Sequence, residues 1–216
     1  MNPLGIFGGT FDPIHFGHLR TAFEFLQVLR FAEVRFVPAG DPPHREAPLV
    51  DAKLRLELVR AAVADQPGFV VDDREVLRGG PSYAVITLRE LRREFPLRSL
   101  CLALGMDAFA GLPQWHEWRE LLTLAHVVVA HRPGCSVPAD GQLGSLLEEC
   151  RTGRVDDLHE APAGRIFIQP VTQLEISSTD LRNLLAAGQD PRYLVPDAVR
   201  RIIRETGCYS RNSTQR

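Results

Sequence analysis

Residues 4–18 read LGIFGGTFDPIHFGH, and the fold is decided there. Leu4 to Gly8 is a short apolar run that stops at paired glycines, after which Leu19, Ala22, Phe23 and Leu26 recur at helical spacing. The succession predicts a buried strand, a glycine turn and a helix. Further along, Val34–Val37 reads as a strand, Leu54–Val63 as a helix and Phe69–Val71 as a strand, and a further helix-bearing unit sets Ala84, Leu88, Leu91 and Phe95 on one face. Leu100–Leu104 and Val127–Ala130 read as buried strands with a helix over Trp115–Leu124 between them, and Arg165–Gln169 as one more strand. Helical patterns near Ser178–Ala187 and Asp197–Glu205 close the chain. Strands alternating with helices call for right-handed crossovers onto a parallel sheet. The expected fold is therefore α/β, a Rossmann-like doubly wound parallel sheet with helices on both faces and the C-terminal helices appended. Ligands belong at the carboxyl ends of such strands.

The 216 residues suit a single domain, expected over 1–209, with 210–216 as a frayed tail. A chain that is 44% hydrophobic and 24% charged lies outside the composition of disorder. Its 25 basic and 27 acidic residues nearly cancel, so no chain-wide field exists to hold a nucleic acid or an acidic membrane, and any phosphate must be bound locally. The start MNPLGIFGG lacks the features of a secretory signal and no apolar run approaches roughly 18 residues, which points to the cytoplasm. Cys101, Cys135, Cys150 and Cys208 are scattered without metal-ligand spacing, so neither disulfide nor zinc is expected.

Gly8, Gly9 and Thr10 sit where a buried strand ends, and Asp12-Pro13-Ile14-His15-Phe16-Gly17-His18 leads into the next helix. A glycine turn lets backbone N–H groups approach phosphate oxygens, and the helix aims its partial positive end at the same place. His15 and His18, three apart, share a face of the first turn and can donate hydrogen bonds to a polyphosphate. The dinucleotide fingerprint G-x-G-x-x-G and the Walker Gly-Lys-Ser/Thr are both absent. Near the other end, Ile176-Ser177-Ser178-Thr179-Asp180-Leu181-Arg182 precedes the apolar Leu184 and Leu185. Ser177 with Asp180 fits a capped helix start; the same segment also offers hydroxyls, a helix N-terminus and Arg182 to phosphate. Pro38 to Leu49 carries four prolines, reads as irregular and functional, and is expected to close over an acceptor.

The run GGTFDPIHFGH resembles the signature of the H-x-G-H nucleotidyltransferase superfamily, and ISSTDLR resembles its second motif, in the family's order. Between them, Pro42-Pro43-His44, Ser82-Tyr83, Gly105 with Asp107, Leu112-Pro113-x-Trp115-His116 and His131-Arg132-Pro133-Gly134 resemble the bacterial nicotinate mononucleotide adenylyltransferases over nearly the whole chain. The resemblance implies transfer of AMP from ATP to nicotinic acid mononucleotide, with Mg²⁺ carried on the ATP phosphates and no dedicated protein metal site. It places ATP at Gly8, Gly9, Thr10, His15, His18, Gly105, Asp107, Ile176, Ser177, Ser178, Thr179 and Arg182, with His18 and His15 as charge stabilisers. It places the mononucleotide at Thr10, Asp41, His44, Arg45, Ser82, Tyr83, Trp115, His116 and Arg132. Trp115 would stack on the pyridine ring, although Trp115 and Trp118 at this spacing also suit packing, and backbone amides near Ser82, Tyr83 and Trp115 would receive the carboxylate. The chain departs from the family at Arg45 for Lys, Asp41 for Asn, and Ala84 and Ile86 for Thr and Asp. A pantetheine-phosphate or flavin adenylyltransferase of the same superfamily, or a nucleotide sensor without turnover, are the other readings.

Overall fold

The computed structural model describes residues 2–43, 47–131, 137–172 and 174–210. The order is β1 (Leu4–Gly9), α1 (Phe16–Val28), β2 (Glu33–Pro38), α2 (Ala52–Val63), β3 (Phe69–Val71), α3 (Arg74–Arg78) and α4 (Ala84–Glu94). Next come β4 (Leu100–Gly105), α5 (Met106–Ala110), α6 (Leu121–Leu124), β5 (His126–His131) and α7 (Gly141–Cys150). The chain continues through β6 (Arg151–Thr152), α8 (Asp157–Glu160), β7 (Ile166–Pro170), α9 (Ser178–Ala186) and α10 (Asp197–Thr206). The strands form one seven-stranded parallel sheet in the order β3-β2-β1-β4-β5-β7-β6. Ile6 pairs with Leu102, Leu102 with Val127 and Val128 with Phe167. Apolar residues line up across the strands, as the near-continuous hydrophobic runs of parallel strands require. Winding reverses at β1 and β4, the topology of a Rossmann-like α/β fold.

Contacts divide the chain into two compact units. One comprises Met1–Gly8, Thr21–Arg35 and Tyr83–Gln173; the other comprises Gly9–Arg20, Phe36–Ser82 and Leu174–Arg216. In the first, Val127, Val128 and Val129 of β5 are buried with Leu88 and Leu91 of α4. Loop carbonyls there are satisfied by long side chains: Arg92 donates to the carbonyls of Leu124 (2.6 Å), Arg98 (2.7 Å) and Pro162 (2.8 Å). Glu24 on α1 accepts the Thr172 N–H at 2.9 Å, so the chain leaving β7 is tied to a buried carboxylate. In the second unit α2 starts at Asp51, whose side chain accepts the Leu54 N–H at 2.8 Å as an N-cap. Leu56, Val59 and Val63 bury its inner face.

Several expected elements take a different form. Trp115–Leu124 is not one helix: a 3₁₀ turn over Leu112–Gln114, another over Trp118–Glu120 and α6 share the stretch, because Glu117 adopts φ 49° and breaks any right-handed helix. Arg89 on α4 binds the carboxylates of Glu117 and Glu120 and holds that break. Pro38 is the last residue of β2 instead of the first of a loop. Helices α3, α5, α7 and α8 and the two-residue β6 are additional; most are too short for periodicity to accumulate. Ser210, expected in the tail, donates its hydroxyl to the Gly207 carbonyl at 2.8 Å, and 211–216 lie outside the described residues. Cys101, Cys150 and Cys208 are free thiols, burial pushing that of Cys101 up to about 12, and Cys135 lies outside the described residues. No described helix is long and apolar enough to cross a membrane.

His126 at the start of β5 is buried, with Nε2 2.9 Å from the Ala161 carbonyl and Nδ1 accepting the Arg165 N–H at 3.0 Å. That pairing requires the neutral ring protonated on Nε2. Burial lowers its pKa below the ordinary 6.5, the Ala161 carbonyl acting in the opposite sense. The unfolded ring therefore takes up a proton that the folded ring resists, so stability is full above about pH 6.5 and falls as the pH drops below it. Thermal melts between pH 8 and 5 should show a steeper acid loss for the wild type than for His126→Gln, which keeps a donor for Ala161 without a titrating ring. Parallel pH profiles would remove His126 as the cause.

Candidate active site

Four carbonyls at the end of β1 are bound by donors from elsewhere in the chain. Gly9 O accepts from the Ala39 N–H at 2.9 Å, and Thr10 O from Arg55 Nη1 at 2.7 Å. Asp12 O accepts from Arg182 Nη1 at 2.8 Å, and Pro13 O from Ser178 Oγ at 3.0 Å. The glycine turn and the ISSTDLR segment, about 160 residues apart, are thus joined through the backbone of the first and the side chains of the second. Arg182 Nη2 also reaches Thr179 Oγ1 at 3.2 Å, and its Nη1 lies 3.9 Å from Asp12 Oδ2.

The first turn of α1 places the histidines. His15 precedes the helix, its carbonyl accepts from the N–H groups of His18 (3.0 Å) and Leu19 (3.2 Å), and its own N–H donates to His18 Nδ1 at 3.3 Å. This is capping-box logic with an imidazole in place of the usual carboxylate. Because Nδ1 accepts, a neutral His18 carries its proton on Nε2 and offers that N–H as a donor. The two rings stack with centroids 3.7 Å apart, His15 only 5% exposed and His18 half-buried. Phe11, held at φ 50°, packs edge-on to His18 with ring centroids 5.1 Å apart. Gly17 is required by close approach: a Cβ there would meet His15 Nδ1 at 2.9 Å and Cε1 at 3.0 Å.

At α9 the capped-helix reading holds in detail. Ser177 Oγ accepts the Asp180 N–H at 3.0 Å and donates to Asp180 Oδ2 at 2.6 Å, so its hydroxyl is engaged locally. Ile176 lies beside Gly17, its carbonyl 3.6 Å from where a Gly17 Cβ would stand.

Three residues to which the sequence reading gave no role of their own complete this unit. Arg55 of α2 is 1% exposed, and besides Thr10 O it binds the carbonyls of Gly40 (3.0 Å) and Val50 (3.3 Å). Asp12, 4% exposed, accepts the Tyr209 hydroxyl on Oδ1 at 2.7 Å and the Leu49 N–H on Oδ2 at 2.9 Å. Burial, then the Asp12 carboxylate, pushes the Tyr209 phenol far up, so it stays a donor. Arg55 is lowered by burial, with Asp12 opposing the shift. Asp12 lies inside the quoted motif and Arg55 in a helix with few other signals, so only the fold could show that they support one turn.

Ser82 belongs to this loop system. Its hydroxyl accepts from the N–H groups of Gly40 (2.9 Å) and Asp41 (3.2 Å), and its own N–H donates to Asp41 O at 2.8 Å. The expectation that its amide stands open is corrected, because Asp41 already occupies it; the Trp115 N–H is likewise taken, by Leu112 O at 2.9 Å. His44 and Arg45 lie outside the described residues, as does Arg132.

In the other unit Tyr83 precedes α4 and its ring meets that of His116 at 4.4 Å between centroids, tilted by 31°. Trp118 is the packing residue of the tryptophan pair, 8% exposed, with the Arg119 guanidinium 4.7 Å from its ring centroid; Trp115 is half-buried. Gly105 and Asp107 are exposed where β4 gives way to α5, and a Cβ on Gly105 would meet nothing within 4 Å, so protein packing does not demand that glycine.

The model of the cytidylyltransferase-like family matches residues 6–184, and fold and helix-start histidines together define a protein of that class. A probable nicotinate-nucleotide adenylyltransferase of Aeromonas hydrophila is 49% identical over 207 residues, 96% of this chain and 97% of that one. Its counterpart in Dechloromonas aromatica is 50% identical over 215 residues, 98% and 99% of the two chains. The chain belongs to the nicotinate-nucleotide adenylyltransferase family. The fold is also that of Plasmodium falciparum nicotinic acid mononucleotide adenylyltransferase complexed with NaAD, at TM-score 0.73 and 15% identity over 97% of this chain and 98% of that one.

Gly17→Ala forces His15 to move, since the Cβ would stand 2.9 Å from its ring. The expected outcome is a folded variant whose His15 and His18 side-chain resonances shift in ¹H–¹³C spectra. Unchanged imidazole resonances would show that the glycine does not set the ring position.

Proposed function

We propose that the protein transfers AMP from ATP to nicotinic acid mononucleotide, giving deamido-NAD and pyrophosphate in NAD biosynthesis, in the cytoplasm. The observation that carries this reading is the paired imidazole arrangement at the start of α1, with His18 presenting Nε2–H, in a chain of this family. An oxygen of the mononucleotide 5′-phosphate attacks the α-phosphorus of ATP in line; its P–O bond forms as the bond to the β-phosphate oxygen breaks and pyrophosphate leaves. That nucleophile is already ionised near neutral pH, so the protein needs no covalent intermediate, only positioning and charge stabilisation.

In this reading His18 and His15 stabilise charge spreading over the phosphates, and Gly8, Gly9 and Thr10 meet the triphosphate through the turn backbone. The starts of α1 and α9 direct positive dipole ends at anions, α9 with the amides of Ser178 and Thr179 behind Ile176 and Ser177. Arg182 reaches the distal phosphates from its seat on Asp12 O. Magnesium bound with the triphosphate supplies charge neutralisation. We assign the exposed carboxylate of Asp107 to the ribose or to that ion.

On the acceptor side, we assign the pyridine ring to Trp115, with Tyr83 and His116 in the same unit; the family resemblance also assigns Asp41, Ser82, His44, Arg45 and Arg132 to the mononucleotide. The carboxylate is received by the first-turn amides of α4, those of Ala84 and Val85, which a helix start leaves without intrahelical partners. They replace the amides of Ser82 and Trp115, which are engaged within the protein.

Mixing the protein with ATP and nicotinic acid mononucleotide should release pyrophosphate and yield a dinucleotide; no release with either acceptor, acid or amide, would sink the assignment. His18→Ala should lower kcat roughly 100- to 1,000-fold while ATP affinity stays close to wild type, as expected for loss of one preorganised donor. A near-normal kcat, or a defect confined to ATP binding, would refute that role. Nicotinic acid mononucleotide should exceed its amide by about tenfold or more in kcat/KM, because the amide NH₂ points donors at donors and a buried mismatch costs about 1–3 kcal/mol. Equal values would remove the carboxylate pocket and leave the adenylyl transfer standing.

A further inference from the structure

We infer that Arg55 is a positioning residue of the phosphate site: its buried guanidinium aims the backbone amides of the glycine turn by holding the Thr10 carbonyl, and it fixes both ends of the adjoining loop. The inference rests on the proposed function, since it names a residue of the same site that no motif contains. In a planar trans peptide the N–H of one residue points opposite to the preceding C=O. Gly9 O is held by the Ala39 N–H, Thr10 O by Arg55 Nη1 and Pro13 O by Ser178 Oγ, so the N–H groups of Thr10, Phe11 and Ile14 are turned away from those donors. Successive amides whose direction is fixed at the end of a strand can form an anion-binding concavity. Phe11 at φ 50° is a bulky residue in the left-handed region, a conformation that persists only where the surroundings impose it, and the bond from Arg55 sits on the peptide directly before it.

The same guanidinium binds Gly40 O near the start of the proline-rich segment and Val50 O just after its end, and Asp12 ties that segment again through the Leu49 N–H. A planar fork with five donors can hold three carbonyls in a fixed relation; a lysine ammonium cannot reproduce that geometry. Arg55 is 1% exposed with Asp12 as the neighbouring charge. Its charge is spent on backbone, so its effect on phosphate is exerted through the amides.

The test is Arg55→Lys beside Arg92→Lys, an arginine that also binds several loop carbonyls but lies outside the site. At temperatures well below both melting midpoints, Arg55→Lys should lower kcat per folded molecule about 10- to 100-fold with KM for both substrates within about threefold, whereas Arg92→Lys keeps its kcat. Hydrogen exchange read by NMR without substrate should speed up by about tenfold or more at the amides of Ala39 and Leu49 in Arg55→Lys only. Unchanged exchange at both amides, or an unchanged kcat in folded Arg55→Lys, overturns the inference. If Arg55→Lys does not fold, Tyr209→Phe, which removes one hydrogen bond from Asp12, should lower kcat about threefold or more and quicken Leu49 exchange, and an unaltered variant overturns it. If the wild type shows no turnover, the functional reading fails, and the exchange measurement still decides whether Arg55 holds the turn.

Discussion

A strand that ends in a turn still has carbonyls to satisfy, and at the end of β1 nearly every one is bound by a donor of the protein. Gly9, Thr10, Asp12 and Pro13 give their oxygens to Ala39, Arg55, Arg182 and Ser178. A buried carbonyl without a donor costs about 1–3 kcal/mol, so a set of four is a strong constraint on the turn. Peptide planarity converts that constraint into direction, because the captured carbonyls of Gly9, Thr10 and Pro13 fix the N–H groups that follow them, whereas Asp12 precedes a proline. The donors come from three separate stretches of sequence, which makes the turn a product of tertiary structure as much as of its glycines.

Both helix starts next to this turn use residues three apart, and in each the spacing has a local purpose. At α1 the His15 N–H is taken by the ring of His18, and at α9 the Asp180 N–H is taken by Ser177. Capping satisfies a donor that the helix leaves open and immobilises the side chain that does it. An imidazole immobilised through Nδ1 keeps Nε2–H in one direction, so the bond that starts the helix also prepares a donor. Gly17 belongs to the same design, since any larger residue would collide with His15.

In the other unit the segment around Trp115 is shaped by ionic and aromatic contacts in place of helix formation. Arg89 holds Glu117 and Glu120, Tyr83 lies against His116, and Trp118 fills the core. Trp115 stays half-buried just before the backbone break at Glu117. The break divides the tryptophan pair into one packing residue and one accessible ring.

How much was legible in advance follows from the range over which each signal acts. The alternation of apolar strands and 3.6-residue periodicity gave the Rossmann-like sheet, and the residue types at Gly8–His18 and Ile176–Arg182 marked both helix starts, because strand burial and capping are local in sequence. Short helices such as α5 and α8 escaped, having too few residues for a period to show. Trp115–Leu124 misled for a different reason: its periodicity is helical, but the left-handed Glu117 is held by an arginine 28 residues earlier. Ser82 and Trp115 showed amides suited to a carboxylate, and only the fold revealed that Asp41 and Leu112 had already taken them. Arg55, Asp12 and Tyr209 are an ordinary arginine, aspartate and tyrosine in sequence. By itself the sequence determined the fold class, the family and the two helix starts, all written in local pattern; the tertiary structure decided which carbonyls those residues bind, because a hydrogen bond between Asp12 and Tyr209 spans 197 positions that only folding brings together.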